Sequence, residues 1–320
     1  MTRSSEYSAL SHRFALLTAL ATLFLLLVGG LVTSNDAGLS VPDWPLSFGQ
    51  IMPEMVGGVF YEHGHRMVAT TVGFLTIILA LILGRRDARS GVRKLGWMAL
   101  LAVVLQGVLG GLTVLFRLPP IVSVIHACLA QAFFCIVVTL AVVTSFWWRQ
   151  RTEVTPISWS NSRFRLAAMT TFGVFLQLIF GATVRHAGTV DGAKAAEFVT
   201  WALILHLAGA VLVSMMILLT AMNLLKDEAG RRLSRTVYTL VGGLLLQLVL
   251  GVAAYAVRMS IASGQPHHPV AALLPTAHLA LGALILATCL GLSLVLSQER
   301  VREQGEVLLK DVAMAGGSQN

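Results

Sequence analysis

Apolar residues run along this chain in eight long blocks, near 14–34, 60–83, 95–116, 121–147, 166–185, 199–224, 236–257 and 274–297, separated by polar connections. Each block approaches or exceeds the roughly 20 residues that an α-helix needs to cross the hydrocarbon core of a bilayer. The pattern predicts an all-α polytopic membrane protein of eight transmembrane helices, spans 1 to 8. Span 1, from Phe14 to Thr33, is longer than the apolar core of a cleaved signal. It lacks a small-x-small site before Ser34-Asn35-Asp36, so it is expected to remain as an anchor. The polar tail from Gln298 ends Gly-Gly-Ser-Gln-Asn and is expected to form a short mobile extension.

Composition agrees with the pattern: 56% of residues are hydrophobic and 12% charged, with a mean hydropathy of +0.78, outside the balance of a soluble domain. The net charge of +8 would suit a nucleic-acid partner, but 18 of the 23 basic residues lie on the side that holds both termini and alternate connections. Arg66, Arg117, Arg185, Lys194 and Arg258 are left opposite. That asymmetry is the positive-inside pattern of a membrane protein with both termini cytoplasmic, and no nucleic-acid partner is expected.

The chain also repeats itself. Leu105-Gln106-Gly107-Val108-Leu109-Gly110-Gly111 in span 3 and Leu246-Gln247-Leu248-Val249-Leu250-Gly251-Val252 in span 7 agree at five of seven positions, at an offset of 141. A looser copy, Leu176-Gln177 followed by Phe180-Gly181-Ala182, lies in span 5, and span 1 ends in Gly29-Gly30. Copies four helices apart share one orientation, so the expected architecture is two pseudo-symmetric four-helix bundles, residues 1–150 and 151–320. The motif glycines read best as small residues that let helices approach closely. The glutamines fit either a bond across helices or one to a bound ligand.

Candidate chemistry sits on the even spans. His65, His126, His206 and His278 each fall within the first two turns of spans 2, 4, 6 and 8, at similar depth on the outer side. His65 and His206 are again 141 residues apart. An intramembrane histidine is a functional-site candidate by default. Axial ligation of two hemes, one per half, is the least costly use for two such pairs, because an imidazole bound to iron is no longer an unsatisfied polar group. His63, His186, His267, His268 and His12 lie in or beside loops and are expected to be solvated. Cys128, Cys135 and Cys289 fall inside spans, where cysteine behaves as a small hydrophobe, and no disulfide is expected.

The halves differ at one place. Glu62-His63-Gly64-His65-Arg66 in span 2 becomes Leu203-Ile204-Leu205-His206-Leu207 in span 6. Glu62 shares a helix face with His65 at i, i+3, so a carboxylate at a heme edge is plausible in the first half only. Glu62 reads equally well as a helix N-terminal acid paired with Arg66. Arg66 reads as a propionate partner or as a snorkelling side chain.

With these residues the chain resembles the heme A synthase family over roughly residues 14–297. The resemblance rests on Gly29-Gly30-Leu31-Val32-Thr33, on Ala37-Gly38-Leu39-Ser40-Val41-Pro42-Asp43-Trp44-Pro45, on Glu62-x-x-His65-Arg66 and on one histidine in each later even span. It implies oxidation of the C8 methyl of heme O to the formyl of heme A by successive hydroxylations and loss of water. It also implies heme O bound by His65 and His126 in the first half, heme b bound by His206 and His278 in the second, and Glu62 at the reacting methyl. A bacterial inner membrane, heme sites toward the outer face, and a heme O synthase and an electron donor as partners follow as expectations. Whether the protein forms a homo-oligomer stays open. Some family members carry cysteine pairs in the first and third outer loops; residues 35–59 and 186–198 contain none. The segment from Ala37 to Pro45 reads as an ordered interfacial loop with Trp44 in the aromatic belt, as a cap on the heme pocket, or as both.

Two alternatives remain at this level. A diheme cytochrome b that only carries electrons fits the histidines equally well but has less need of an acid in one half alone. A transporter with parallel repeats fits less well, since apart from Glu62 and Arg66 the spans lack ionisable pathway residues.

Overall fold

The computed structural model describes residues 8–150, 161–187, 193–226, 231–262 and 269–316. Among them the regular structure is helical, with one isolated bridge between Ser47 and Gln50. Eight helices are long and apolar enough to cross a membrane. They are α1 (Ala9–Ser34), α2 (Gly57–Arg86), α3 (Ser90–Leu115), α4 (Pro120–Thr144), α5 (Ser162–Ala187), α6 (Ala193–Leu225), α7 (Ser234–Ala262) and α8 (Leu273–Gly316).

Local chemistry explains several helix ends. The Ser8 hydroxyl accepts from Ser11 N at the start of α1, and the Asn35 amide donates to Leu31 O at its end, 2.8 Å away. Asp87 accepts from Arg89 N just before α3, and Pro120 stands at the first turn of α4, where its missing N–H costs nothing. Span 4 was expected to reach residue 147. Instead Ser145, in extended conformation, stops α4 and caps a separate single turn, Phe146–Arg149, by accepting from Trp148 N.

Two further ends depart from the sequence reading. α6 begins at Ala193, and α8 continues to Gly316 where a mobile tail was expected. Both extra stretches are polar enough to escape a hydropathy reading yet rich in Ala, Glu, Lys and Leu, which favour helix.

Buried apolar side chains form two clusters. One joins Ala15 and Ala19 of α1, Leu79 and Leu83 of α2, Ala99 of α3, and Val137 and Leu140 of α4, with Ala283 of α8. The other joins Val174 of α5, Ile217 and Leu224 of α6, Val237 of α7, and Leu286 and Leu296 of α8. Cys289 lies within the second cluster and Cys135 packs against it, as small hydrophobes. Large apolar side chains such as Leu20, Phe74, Leu101 and Val249 point outward, which is stable only where lipid is the solvent.

Helices α1 and α4 meet α8, and α4 also meets α5, which forms the seam between the clusters. Polar contacts tie the seam at the end that carries the span histidines. Ser34 and Thr276 hydroxyls lie 3.0 Å apart, and Arg185 of α5 donates to Gly30 O and to Ser34 Oγ of α1. At the other end the fully buried Asp87 carboxylate accepts from Arg89 and Arg149, at 2.9 and 2.6 Å. Burial alone would raise the Asp87 pKa; the guanidinium hydrogen bonds and charges outweigh it and hold the carboxyl below its usual range.

Candidate functional site

The four span histidines share one local construction. Each imidazole packs against a glycine of the preceding helix, so that a Cβ added at Gly29 would lie 3.0 Å from His65 Cε1. The corresponding distances are 3.3 Å from Gly110 to His126, 3.1 Å from Gly181 to His206 and 3.0 Å from Gly251 to His278. The motif glycines therefore seat imidazole rings, a more specific use than close helix approach alone. Gly111 seats a different ring: its added Cβ would lie 2.7 Å from Trp44 Cδ2. Trp44 thus docks on α3, beside the glycine that seats His126.

One turn before three of these glycines stands a glutamine. Gln106 Nε2 donates to His126 O and faces His126 Nε2, at 3.0 and 3.3 Å. Gln177 Nε2 donates to His206 O and faces His206 Nδ1, at 2.8 and 3.0 Å. Gln247 Nε2 faces His278 Nε2 at 3.4 Å, while the His278 Nδ1 lies 3.1 Å from Gln247 O. Bonding across helices, one of the two roles the sequence left open, is observed at all three.

His206 and His278 stand with ring centroids 6.4 Å apart and planes at 76°. Two metal–nitrogen bonds of about 2 Å, plus about 1 Å from each nitrogen to its ring centre, give about 6 Å. The spacing of the pair is therefore close to that of two rings that would share one metal ion. In the other half, Nδ1 of His65 and of His126 is buried without a hydrogen-bond partner. Such orphaned nitrogens in an apolar setting suit a bound metal or ligand better than an empty core.

Over the first-half histidines lies the 35–56 connection, latched to α2. Glu62, 4% exposed, accepts from Val41 N at 2.9 Å and from Arg66 at 2.7 Å. Arg66 also donates to Asp43 O and Leu46 O, at 2.7 and 2.8 Å. His63 Nδ1 pairs with Ser47 Oγ at 2.8 Å. Gly49 N–H, with help from Phe48 N–H and the Arg66 charge, holds the Asp43 carboxyl below its usual pKa range. That carboxylate closes the loop tip by accepting from both N–H groups.

Several expectations change. Because α2 starts at Gly57, Glu62 lies beyond the first turn, where the macrodipole fades; its pairing with Arg66 is observed. Arg66 bonds the loop carbonyls of Asp43 and Leu46 as well as Glu62. His63 is buried rather than solvated, because Ser47 folds over it. His186 is half-buried beside Arg185, and His12 pairs with Ala141 O at 3.1 Å. His206 lies deeper in its helix than two turns, since α6 begins at Ala193. His267 and His268 lie outside the described residues.

The family described as COX15-CtaA, cytochrome oxidase assembly protein, matches residues 54–279, a stretch that includes all four seated histidines. The chain is 26% identical over 260 residues to the heme A synthase of Shouchella clausii, covering 77% of this chain and 85% of that one. To the heme A synthase of Bacillus pumilus it is 27% identical over 228 residues, or 66% and 74% of the two chains. To that of Caulobacter vibrioides it is 35% identical over 144 residues, or 41% and 40%.

Proposed function

Because the chain belongs to the COX15-CtaA family of cytochrome oxidase assembly proteins, we propose that it acts as a heme A synthase, oxidising the C8 methyl of heme O to the formyl of heme A within the membrane. Heme O is the substrate, held in the first half (1–150) by His65 and His126. The second half (151–320) retains a b-type heme on His206 and His278, and when bound that heme supplies one-electron transfer toward the first site.

The observation that carries this reading over a pure electron carrier is Glu62. It is a buried carboxylate on the face of His65, in the frame where the other half has Leu203. A negative charge there can stabilise positive charge that develops on the reacting carbon or accept a proton from it. Arg66 and Val41 N–H fix its two oxygens, so its position is set before substrate arrives. The latched 35–56 loop, with Trp44 on Gly111, keeps bulk water from that end of the site. Methyl-to-formyl conversion removes four electrons from the carbon, which gives the second heme and an external redox partner their place.

The test is expression in a host that makes heme O but no heme A, followed by heme extraction and chromatography. Heme A and its hydroxymethyl precursor are expected. Bound heme with no conversion would favour the electron carrier.

The same reading sets the orientation: a bacterial inner membrane, both termini cytoplasmic, heme sites outward. A cytoplasmic reporter is expected to work at the C-terminus and fail between residues 35 and 59; the reverse result would overturn it.

A further inference from the structure

Three of the four histidines have a glutamine one turn before the glycine that seats them; the fourth does not. Four residues before Gly29 stands Leu25, packed against the first apolar cluster and unable to hydrogen-bond. Among the described residues no glutamine amide faces His65, whose Nδ1 is buried without a partner as that of His126 is.

The glutamines are held in place by the fold. A Cβ at Gly209 would collide with Gln177 Oε1, and one at Gly282 would lie 3.2 Å from Gln247 Nε2, so glycines on the histidine-bearing helices make room for these amides. Each amide oxygen, of Gln106, Gln177 and Gln247, is buried with no hydrogen-bond partner. An amide is a donor at one end and an acceptor at the other. Facing a free imidazole it can donate to the ring lone pair. When the opposite ring nitrogen of His126 or His206 binds iron, a half-turn of the amide presents Oε1 to the N–H, exchanging the Nε2 bond to the histidine carbonyl for one to the ring. The unused oxygen is therefore an acceptor in reserve.

The distribution divides the two sites unequally. In the second half both histidines are clamped, His206 by the Gln177 amide and His278 by the main-chain oxygen of Gln247 together with its amide. In the first half only His126 is, by Gln106. A partner on a ligand's distal N–H fixes ring orientation and raises its basicity, and its loss typically costs about 10–100-fold in affinity.

We propose that Gln106, Gln177 and Gln247 are positioning residues that clamp three heme-ligand histidines, and that unclamped His65 is the exchangeable ligand that lets the first-half heme be released while the second-half heme is retained. This rests on the heme-binding reading above, and it adds what distinguishes a passing heme from a resident one.

The experiment uses purified, heme-loaded protein mixed with excess apomyoglobin as heme acceptor, with the low-spin electron paramagnetic resonance signal and midpoint potential recorded in parallel. Wild-type protein is expected to release heme in a fast and a slow phase. Leu25→Gln should slow the fast phase about tenfold. Gln177→Leu should speed the slow phase about tenfold and shift the signal and potential of the retained heme, and Gln247→Leu, which keeps the main-chain oxygen on His278, should do the same to a smaller extent. Gln247→Met, which keeps the length but not the amide, should match Gln247→Leu. If Leu25→Gln does not assemble, the Gln177 and Gln247 variants decide. Unchanged phases, signal and potential in those variants would make the glutamines helix packing only and overturn the proposal. Wild-type protein without bound heme would overturn the heme reading itself.

Discussion

Glu62→Gln is expected to lower heme A formation by about 10²–10⁴-fold while the second-half heme keeps its spectrum. The substitution keeps volume and hydrogen-bonding capacity and removes the charge. It also disturbs the latch, because Glu62 holds both Val41 N and Arg66, so loss of activity alone would not separate chemistry from loop closure. Ser47→Ala combined with Asp43→Ala separates them: it takes the loop's acceptors from His63, Phe48 N and Gly49 N and leaves both partners of the Glu62 carboxylate in place. If charge on Glu62 drives the reaction, Glu62→Gln is the far slower variant. Equal losses would reduce Glu62 to a loop anchor, and wild-type turnover in Glu62→Gln would remove it from the mechanism. Heme O, hydroxymethyl heme and heme A are scored by chromatography.

The second large effect is expected at the resident heme. His206→Ala or His278→Ala should abolish the low-spin b-type spectrum, because one ring alone cannot complete the 6.4 Å pair. Gly251→Val should come close to the same result without touching any ligand. Its Cβ would sit 3.0 Å from His278 Cε1, tighter than ordinary contact, and the branched methyls would drive the ring from its seat. Gly242→Val is the control, since nothing lies within 4 Å of a Cβ there. A normal spectrum in Gly251→Val would return the motif glycines to simple helix packing, and one in both histidine variants would move the ligands elsewhere.

The eight spans were legible because a bilayer imposes a length and a polarity that the sequence must carry openly, from Phe14 in span 1 to Leu296 in span 8. Helix ends were less so. Hydropathy stops at the membrane surface while the helix itself continues, as at Ala193 and beyond Gln298. The four histidines were legible for a related reason: a polar ring in an apolar block stands out.

What they rest on did not stand out. Gly29, Gly110, Gly181 and Gly251 look like any small residue in a helix, and only three-dimensional register reveals that each opposes an imidazole. The repeated Gln-x-x-x-Gly spacing at Gln106, Gln177 and Gln247 was a usable signal, and Leu25 in the same place before Gly29 its exception. The Arg66 latch had no such signal. Its acceptors are main-chain carbonyls of Asp43 and Leu46, which every residue type carries alike. Arg185 was counted only as an outer charge, whereas its donation to Gly30 O and Ser34 Oγ ties the halves together.

The separation of the buried apolar side chains into two clusters bears on how such a chain can change over time. Ile217 and Leu79 share no cluster, so trimming one leaves the other's neighbours untouched, and the costs of substitutions in the two groups add rather than compound. Each half can then drift in volume and shape independently. Among the described residues, one half restrains the other through Ala283 of α8 within the first cluster, through Cys135 of α4 against the second, and through the seam of Ser34, Thr276 and Arg185. A duplicated ancestor with private cores could acquire an acid at position 62 in one copy and leucine at 203 in the other without either copy having to repack.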